Sequence, residues 1–128
     1  MKYFEESIRP WGRYQKFFQD EKIWIKYLQV TPQSRLSLQK HQYRSEKWII
    51  VDGQGLAVIE DKTVKVGPGS VVDIPLGAVH RMCNPSGSTL TFIEVAFGES
   101  LTEEDIIRLE DDYHRIDMDE SNLKFISG

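Results

Sequence analysis

Gln39, His41, Glu46 and His80 carry an amide, two imidazoles and a carboxylate within two short stretches of the chain. Groups of this kind are the oxygen and nitrogen donors that hold a divalent cation. The first stretch runs Ser37-Leu38-Gln39-Lys40-His41 and continues through Arg44, Glu46 and Trp48; the second runs from Gly69 through Pro75 and Gly77 to His80 and Asn84. Both place polar side chains where a buried strand ordinarily presents apolar ones. On an extended strand Gln39 and His41 point to one side, and Leu38 and Lys40 to the other. A short loop, residues 42–45, then separates the pair from Glu46 on the neighbouring run, and His80 opens a strand directly after a Pro-x-Gly turn. Taken singly, each histidine has an ordinary alternative as a hydrogen-bonded core or surface residue, and Gln39 as a partner of a nearby loop.

The elements that must position these residues read as strands. Runs rich in Val, Ile, Leu and aromatics recur at 23–31, 35–39, 47–52, 55–60, 62–66, 71–74, 80–84 and 90–97, separated by Gly, Pro, Asp and Asn. Asp52-Gly53-Gln54-Gly55 and Gly67-Pro68-Gly69 supply the positive and fixed φ angles of tight turns, so pairing is expected to be mostly antiparallel. Eight short strands in about 75 residues suit a jelly roll or small barrel, which leaves few edges unpaired. Thr102-Glu103-Glu104-Asp105 reads as an N-cap and acidic first turn, and the apolar spacing that follows predicts one short helix to Tyr113. The stretch 115–128 reads as a loosely docked tail. Arg9-Pro10-Trp11-Gly12-Arg13-Tyr14 is too aromatic for a free end and is expected to lie on the barrel or on a second subunit.

The chain has 128 residues, the length of one domain: an arm at 1–22, a barrel at 23–98, and a helix with tail at 99–128. Sixteen Lys and Arg against twenty Asp and Glu give a net charge of −4 with no dense basic stripe, which argues against nucleic acid as a partner. No apolar stretch approaches the roughly 20 residues that span a bilayer, so no membrane partner and a cytoplasmic location are expected. Cys83 is the only cysteine, which excludes an internal disulfide and any Cys-rich zinc motif.

These spacings resemble the two signature motifs of the cupin superfamily, a double-stranded β-helix. Gln39-x-His41, four residues, Glu46, six residues and Gly53 match the first motif, with glutamine in place of its first histidine. Gly69, Pro75, Gly77, His80 and Asn84 match the second in full. From about Arg9 to Arg115 the chain further resembles the cupin module of type II mannose-6-phosphate isomerases, often the C-terminal half of bifunctional mannose-1-phosphate guanylyltransferases. Arg9-Pro10-Trp11-Gly12, Leu36-Ser37-Leu38-Gln39, Arg44-x-Glu46-x-Trp48, His80-Arg81 and Ile93-Glu94-Val95 carry that likeness. The resemblance implies one divalent metal held by Gln39, His41, Glu46 and His80. Zinc is the first expectation; manganese, iron and cobalt are open, since no thiolate is present to favour softer ions. It also implies interconversion of mannose 6-phosphate and fructose 6-phosphate, without guanylyltransferase activity.

Arg44 and Arg81, beside the ligands, are the candidate catalytic and substrate-binding residues, because a guanidinium suits both a phosphate and an enediolate oxygen. Lys40 is a weaker substrate-binding candidate, and Glu94 offers a proton-transfer group, with a polar face or subunit contact as its more ordinary reading. Related chains carry His where this one has Tyr43 and Lys47, which favours as a rival a sugar-binding or regulatory metal cupin without catalysis. A metal-dependent oxygenase is a third reading, and a homodimer is expected from the aromatic arm.

Overall fold

A computed structural model describes residues 5–112. The expected tail at 115–128 and Tyr113 lie outside them. Twelve strands follow in chain order: β1 (Glu5–Arg9), β2 (Gly12–Gln19), β3 (Ile23–Val30), β4 (Ser34–Arg35), β5 (Leu38–Lys40), β6 (Arg44–Asp52), β7 (Gly55–Ile59), β8 (Lys62–Val66), β9 (Val71–Ile74), β10 (His80–Asn84), β11 (Leu90–Gly98) and β12 (Ile107–Glu110). They form two antiparallel sheets, one ordered β1-β2-β3-β11-β6-β9 and the other β12-β5-β10-β7-β8 with β4 also on β10. This is the cupin double-stranded β-helix that the sequence predicts.

Alternation builds the interior. Along β6, Arg44, Glu46, Trp48 and Ile50 are buried while Lys47 and Ile49 are exposed. Trp48, Ile50, Met82, Leu90 and Phe92, each no more than 2% exposed, form the centre of the core between the sheets. The motif glycines act at turns: Gly53 has φ +89 and a Cβ there would stand 2.6 Å from the Thr89 carbonyl oxygen, while Gly77 has φ +81 in the turn that launches β10.

Three expectations change. The predicted helix from residue 102 is absent among the described residues: 107–110 form β12, which completes the edge of β5, and Asp105 points its carboxylate back at the β5–β6 loop. Helix propensity is a weak preference, and pairing with an open sheet edge overrides it here. The predicted strand at 35–39 is split by Leu36 and Ser37 into β4 and β5, and β6 begins at Arg44, within the predicted loop at 42–45. The arm takes the first of its two expected positions, on the barrel: β2 pairs with β3, and Trp11 and Tyr14 are buried in the chain's own core.

Candidate metal centre

Two sheets deliver the donors. His41 follows β5, Glu46 lies on β6 of the opposite sheet, and His80 opens β10. One donor atom from each lies within 4.8 Å of the others, and all three residues are buried. The rings of His41 and His80 stand 4.9 Å apart. His41 Nε2 is 3.3 Å from Glu46 Oε2, and His80 Nε2 is 4.0 Å from Glu46 Oε1.

Each ring is oriented by a backbone carbonyl. His41 Nδ1 lies 2.6 Å from the Asp105 carbonyl oxygen and His80 Nδ1 lies 2.9 Å from that of Ala78. A carbonyl oxygen only accepts, so both Nδ1 atoms carry a proton, which turns the two Nε2 atoms towards Glu46. Burial, followed by the nearby positive charge of Arg44, outweighs Glu46 and lowers the His41 pKa to about 4, so this imidazole is neutral at pH 7. Glu46 is the reverse case. Its burial works against the anion, but the Arg44 guanidinium leads the opposing charges and holds its pKa at about 2. The neutral His41 imidazole, the His80 ring turned the same way and one ionised carboxylate form a donor set that fits a divalent cation.

Gln39 stands beside this group, since it pairs directly with His80 across the sheet and so shares its face. Its amide nitrogen donates to the Ser37 carbonyl and hydroxyl oxygens at 3.3 and 3.1 Å, which leaves the amide oxygen as the end suited to a cation.

Arg44 competes for the same lone pairs. Its Nε donates to Glu46 Oε2 at 2.8 Å, its Nη2 to His41 Nε2 at 3.1 Å and its Nη1 to the Thr102 carbonyl at 3.1 Å, with the guanidinium 4.6 Å from the centre of the Trp24 ring. Through Gln39 and Arg44 the donor group adjoins a cavity of about 80 Å³ that is also lined by Arg9, Lys26, Arg108, Glu94 and Glu103. Four cations against two carboxylates make this cavity basic. It is smaller than the ~300–1,000 Å³ usual for a small-molecule site. Glu103 on its wall holds Lys26 at 2.7 Å and Lys16 at 3.1 Å.

The other sequence-based candidates fall elsewhere. Arg81 is on the opposite face of β10 from His80, where its Nε donates to the Leu36 carbonyl at 2.9 Å and its Nη1 approaches Glu110 at 3.5 Å; it does not line the cavity. Successive strand residues face opposite ways, which is the reason. Lys40 is likewise on the other face from Gln39 and is absent from the cavity wall. Tyr43 and Lys47 are exposed, and Lys47 pairs with Asp73, so neither is a vacancy in the donor group. The residues that sequence reasoning missed are Arg9, Lys26 and Arg108; Glu94, read first as a polar face or contact residue and second as a proton-transfer group, is buried on the cavity wall.

The fold and this donor set define a cupin whose buried His-Glu-His group can hold a metal. A family model described as "Mannose-6-phosphate isomerase C-terminal" matches residues 1–111, and the chain belongs to that family. Relatives include the alginate biosynthesis protein AlgA of Pseudomonas aeruginosa, 42% identical over 86% of this chain and 23% of that protein. Another is the mannose-1-phosphate guanylyltransferase ManC of Salmonella typhimurium, 38% identical over 87% of this chain and 23% of that protein. The chain thus spans under a quarter of the length of these relatives. Among solved structures, the capsular polysaccharide assembling protein CapF of Staphylococcus aureus superposes with a TM-score of 0.70 at 20% identity, covering 83% of this chain and 31% of that one. It shows the fold alone. Among the described residues, no helix is long and apolar enough to cross a membrane.

Proposed function

We propose that the chain is a metal-dependent aldose-ketose isomerase that interconverts mannose 6-phosphate and fructose 6-phosphate in the cytoplasm. The observation that carries this reading is the junction of the His41, Glu46 and His80 donor group with a buried basic cavity through Gln39 and Arg44. His41, Glu46 and His80 would hold the ion, with the Gln39 amide oxygen as fourth ligand, and zinc, then manganese, iron or cobalt, would fill the site. When bound, such a cation supplies Lewis-acid polarisation of the sugar oxygens. Lys26, Arg9 and Arg108 offer the charge that a 6-phosphate requires, and Arg44 is placed to reach both the donor group and the cavity. The sheets exclude bulk water, which strengthens each of these contacts.

Metal-stripped protein is expected to be inactive in a coupled assay for fructose 6-phosphate and to regain turnover on addition of a divalent ion. No turnover with any ion rejects the isomerase in favour of a sugar-binding cupin, and dioxygen uptake would point to an oxygenase instead.

A homodimer is the second part of the proposal. Trp11 and Tyr14 are inside their own core and supply no contact; the outer face of the larger sheet does, through Phe17 of the arm with Ile25, Tyr27 and Ile93 around one surface hollow, and Ile49 and Val71 further along. Sedimentation velocity at micromolar concentration is expected to give a dimer, and a monomer throughout would reject it.

A further inference from the structure

Three carboxylates stand in or beside the cavity, and they differ in what they are free to do. Glu46 is committed to Arg44 at 2.8 Å and to the Trp48 indole at 3.0 Å, and Arg44 holds it ionised. Glu103 is committed to Lys16 and Lys26, whose charges outweigh burial and keep its pKa below the ordinary value. Glu94 is different. It is buried on β11, its Oε2 accepts one hydrogen bond, from Trp24 Nε1 at 2.7 Å, and its Oε1 has no hydrogen-bond partner among the described residues. It lines the same cavity as Gln39 and Arg44, and it pairs across the sheet with Trp48, two residues along β6 from Glu46.

We propose that Glu94 is the proton-transfer group of this site, taking the C2 proton of a ring-opened aldose phosphate and returning it to C1. The inference rests on the isomerase reading. As the C2–H bond breaks, its electron pair forms the C1=C2 bond and the carbonyl pair moves to O1. The O2 hydroxyl proton passes to O1. Glu94 then gives its proton to C1 while the O2 pair forms the ketone, so one hydrogen has moved from C2 to C1, one from O2 to O1, and no oxidant is consumed. Such a group must accept and release a proton with equal ease. Burial first and the charge of Glu46 second raise the Glu94 pKa to about 7, against the pull of Lys26 and Arg44 and the Trp24 bond, which suits that duty. The charged groups facing it are Glu46 and Arg44 from β6, Lys26 from β3 and, across Lys26, Glu103 from the segment before β12.

The alternatives are less well placed. Both histidines have Nδ1 turned to backbone carbonyls and Nε2 towards Glu46, Tyr43 and Lys47 are in solvent, and Arg81 is on the other face of its strand. Trp24 also has a second role, since Lys16, Lys26 and Arg44 lie 4.3, 4.1 and 4.6 Å from its ring and so fix the indole that orients Glu94.

The test compares wild type, Glu94→Gln and Glu94→Asp, each metal-loaded and with metal content measured. Turnover is read by the coupled assay and C2-hydrogen exchange by NMR of mannose 6-phosphate in D2O. Glu94→Gln, which can still accept the Trp24 bond, is expected to keep its metal and a KM within about threefold, and to lose ~10²–10⁴-fold in kcat and exchange together. The wild-type kcat is expected to fall on the acid side, because the base must be deprotonated to act, and this acid limb should vanish in Glu94→Gln. Glu94→Asp should retain the limb at a kcat lowered by up to ~10²-fold, since the carboxylate is drawn back by one methylene. Glu94→Gln turning over within tenfold of wild type with the limb in place overturns the inference alone; if that variant folds poorly, Glu94→Asp at full kcat does so. A wild type that holds metal but neither turns over nor exchanges C2 overturns the isomerase reading and this inference with it.

Discussion

His80→Ala is expected to yield a folded protein that emerges from gel filtration with less than a tenth of the wild-type metal and without isomerase turnover. The imidazole is set by the Ala78 carbonyl to offer Nε2, and it is one of only two nitrogen donors in the group. With it gone, His41 and Glu46 remain, and both already accept hydrogen bonds from Arg44. An incoming cation would then have to break those bonds for three ligands, Gln39 included, rather than four. Loss of an outer-shell partner alone typically lowers metal affinity ~10–100-fold, so loss of a ligand should cost at least that. Elemental analysis of the eluted protein gives the answer, and the coupled assay gives its consequence. Turnover that survived loss of the metal would remove the ion from the chemistry.

Glu46→Ala is expected to have the largest effect on the metal-free protein, a loss of about 3–5 kcal/mol in urea unfolding. Arg44 and Glu46 are both buried and bonded at 2.8 Å. Removing the carboxylate leaves a buried guanidinium whose remaining hydrogen bonds go to a carbonyl and a ring nitrogen, with Glu94 and Glu103 acting on it through charge alone, and loss of a buried partner carries that scale of penalty. The double change Glu46→Leu with Arg44→Met removes both charges and should recover most of the loss; no recovery would show that the pair is not the cause. The pH dependence has a defined sign. The folded pKa of Glu46 is about 2, below its ordinary value of 4.5, so its contribution is complete above about 4.5 and is lost as pH falls towards 2.

The strands around the motifs were legible because their signals are local. Alternation and turn residues located β7, β8, β9 and β10 closely. Spacing also singled out His41, Glu46 and His80, because two motifs of fixed length bring them to facing strands. Arg81 shows where spacing is insufficient. The parity that turns Lys40 away from His41 turns Arg81 away from His80, and adjacency in sequence is opposition in a strand. The cavity was harder still. Arg9, Lys26 and Arg108 come from three strands with no shared motif, and only the register of the sheets brings them together. Lys26 and Glu94 did leave a trace: each interrupts an inward-facing apolar series, between Trp24 and Leu28 on β3 and between Phe92 and Ala96 on β11. The strand β12 left none, because its conformation is decided by the edge it joins rather than by its own residues.

One residue ties the far end of the described chain to the histidine on which the donor group depends. Asp105 accepts hydrogen bonds from the backbone N–H groups of Gln42 and Tyr43, one on each carboxylate oxygen, and its carbonyl orients His41 from 64 positions downstream. On the ribosome, residues 39–46 therefore emerge long before the group that sets their ring, and a nascent chain stopped short of residue 105 has an imidazole free to choose either tautomer. Any ion taken up there would enter late in the life of the polypeptide, after residues 105–110 have left the exit tunnel and folded back.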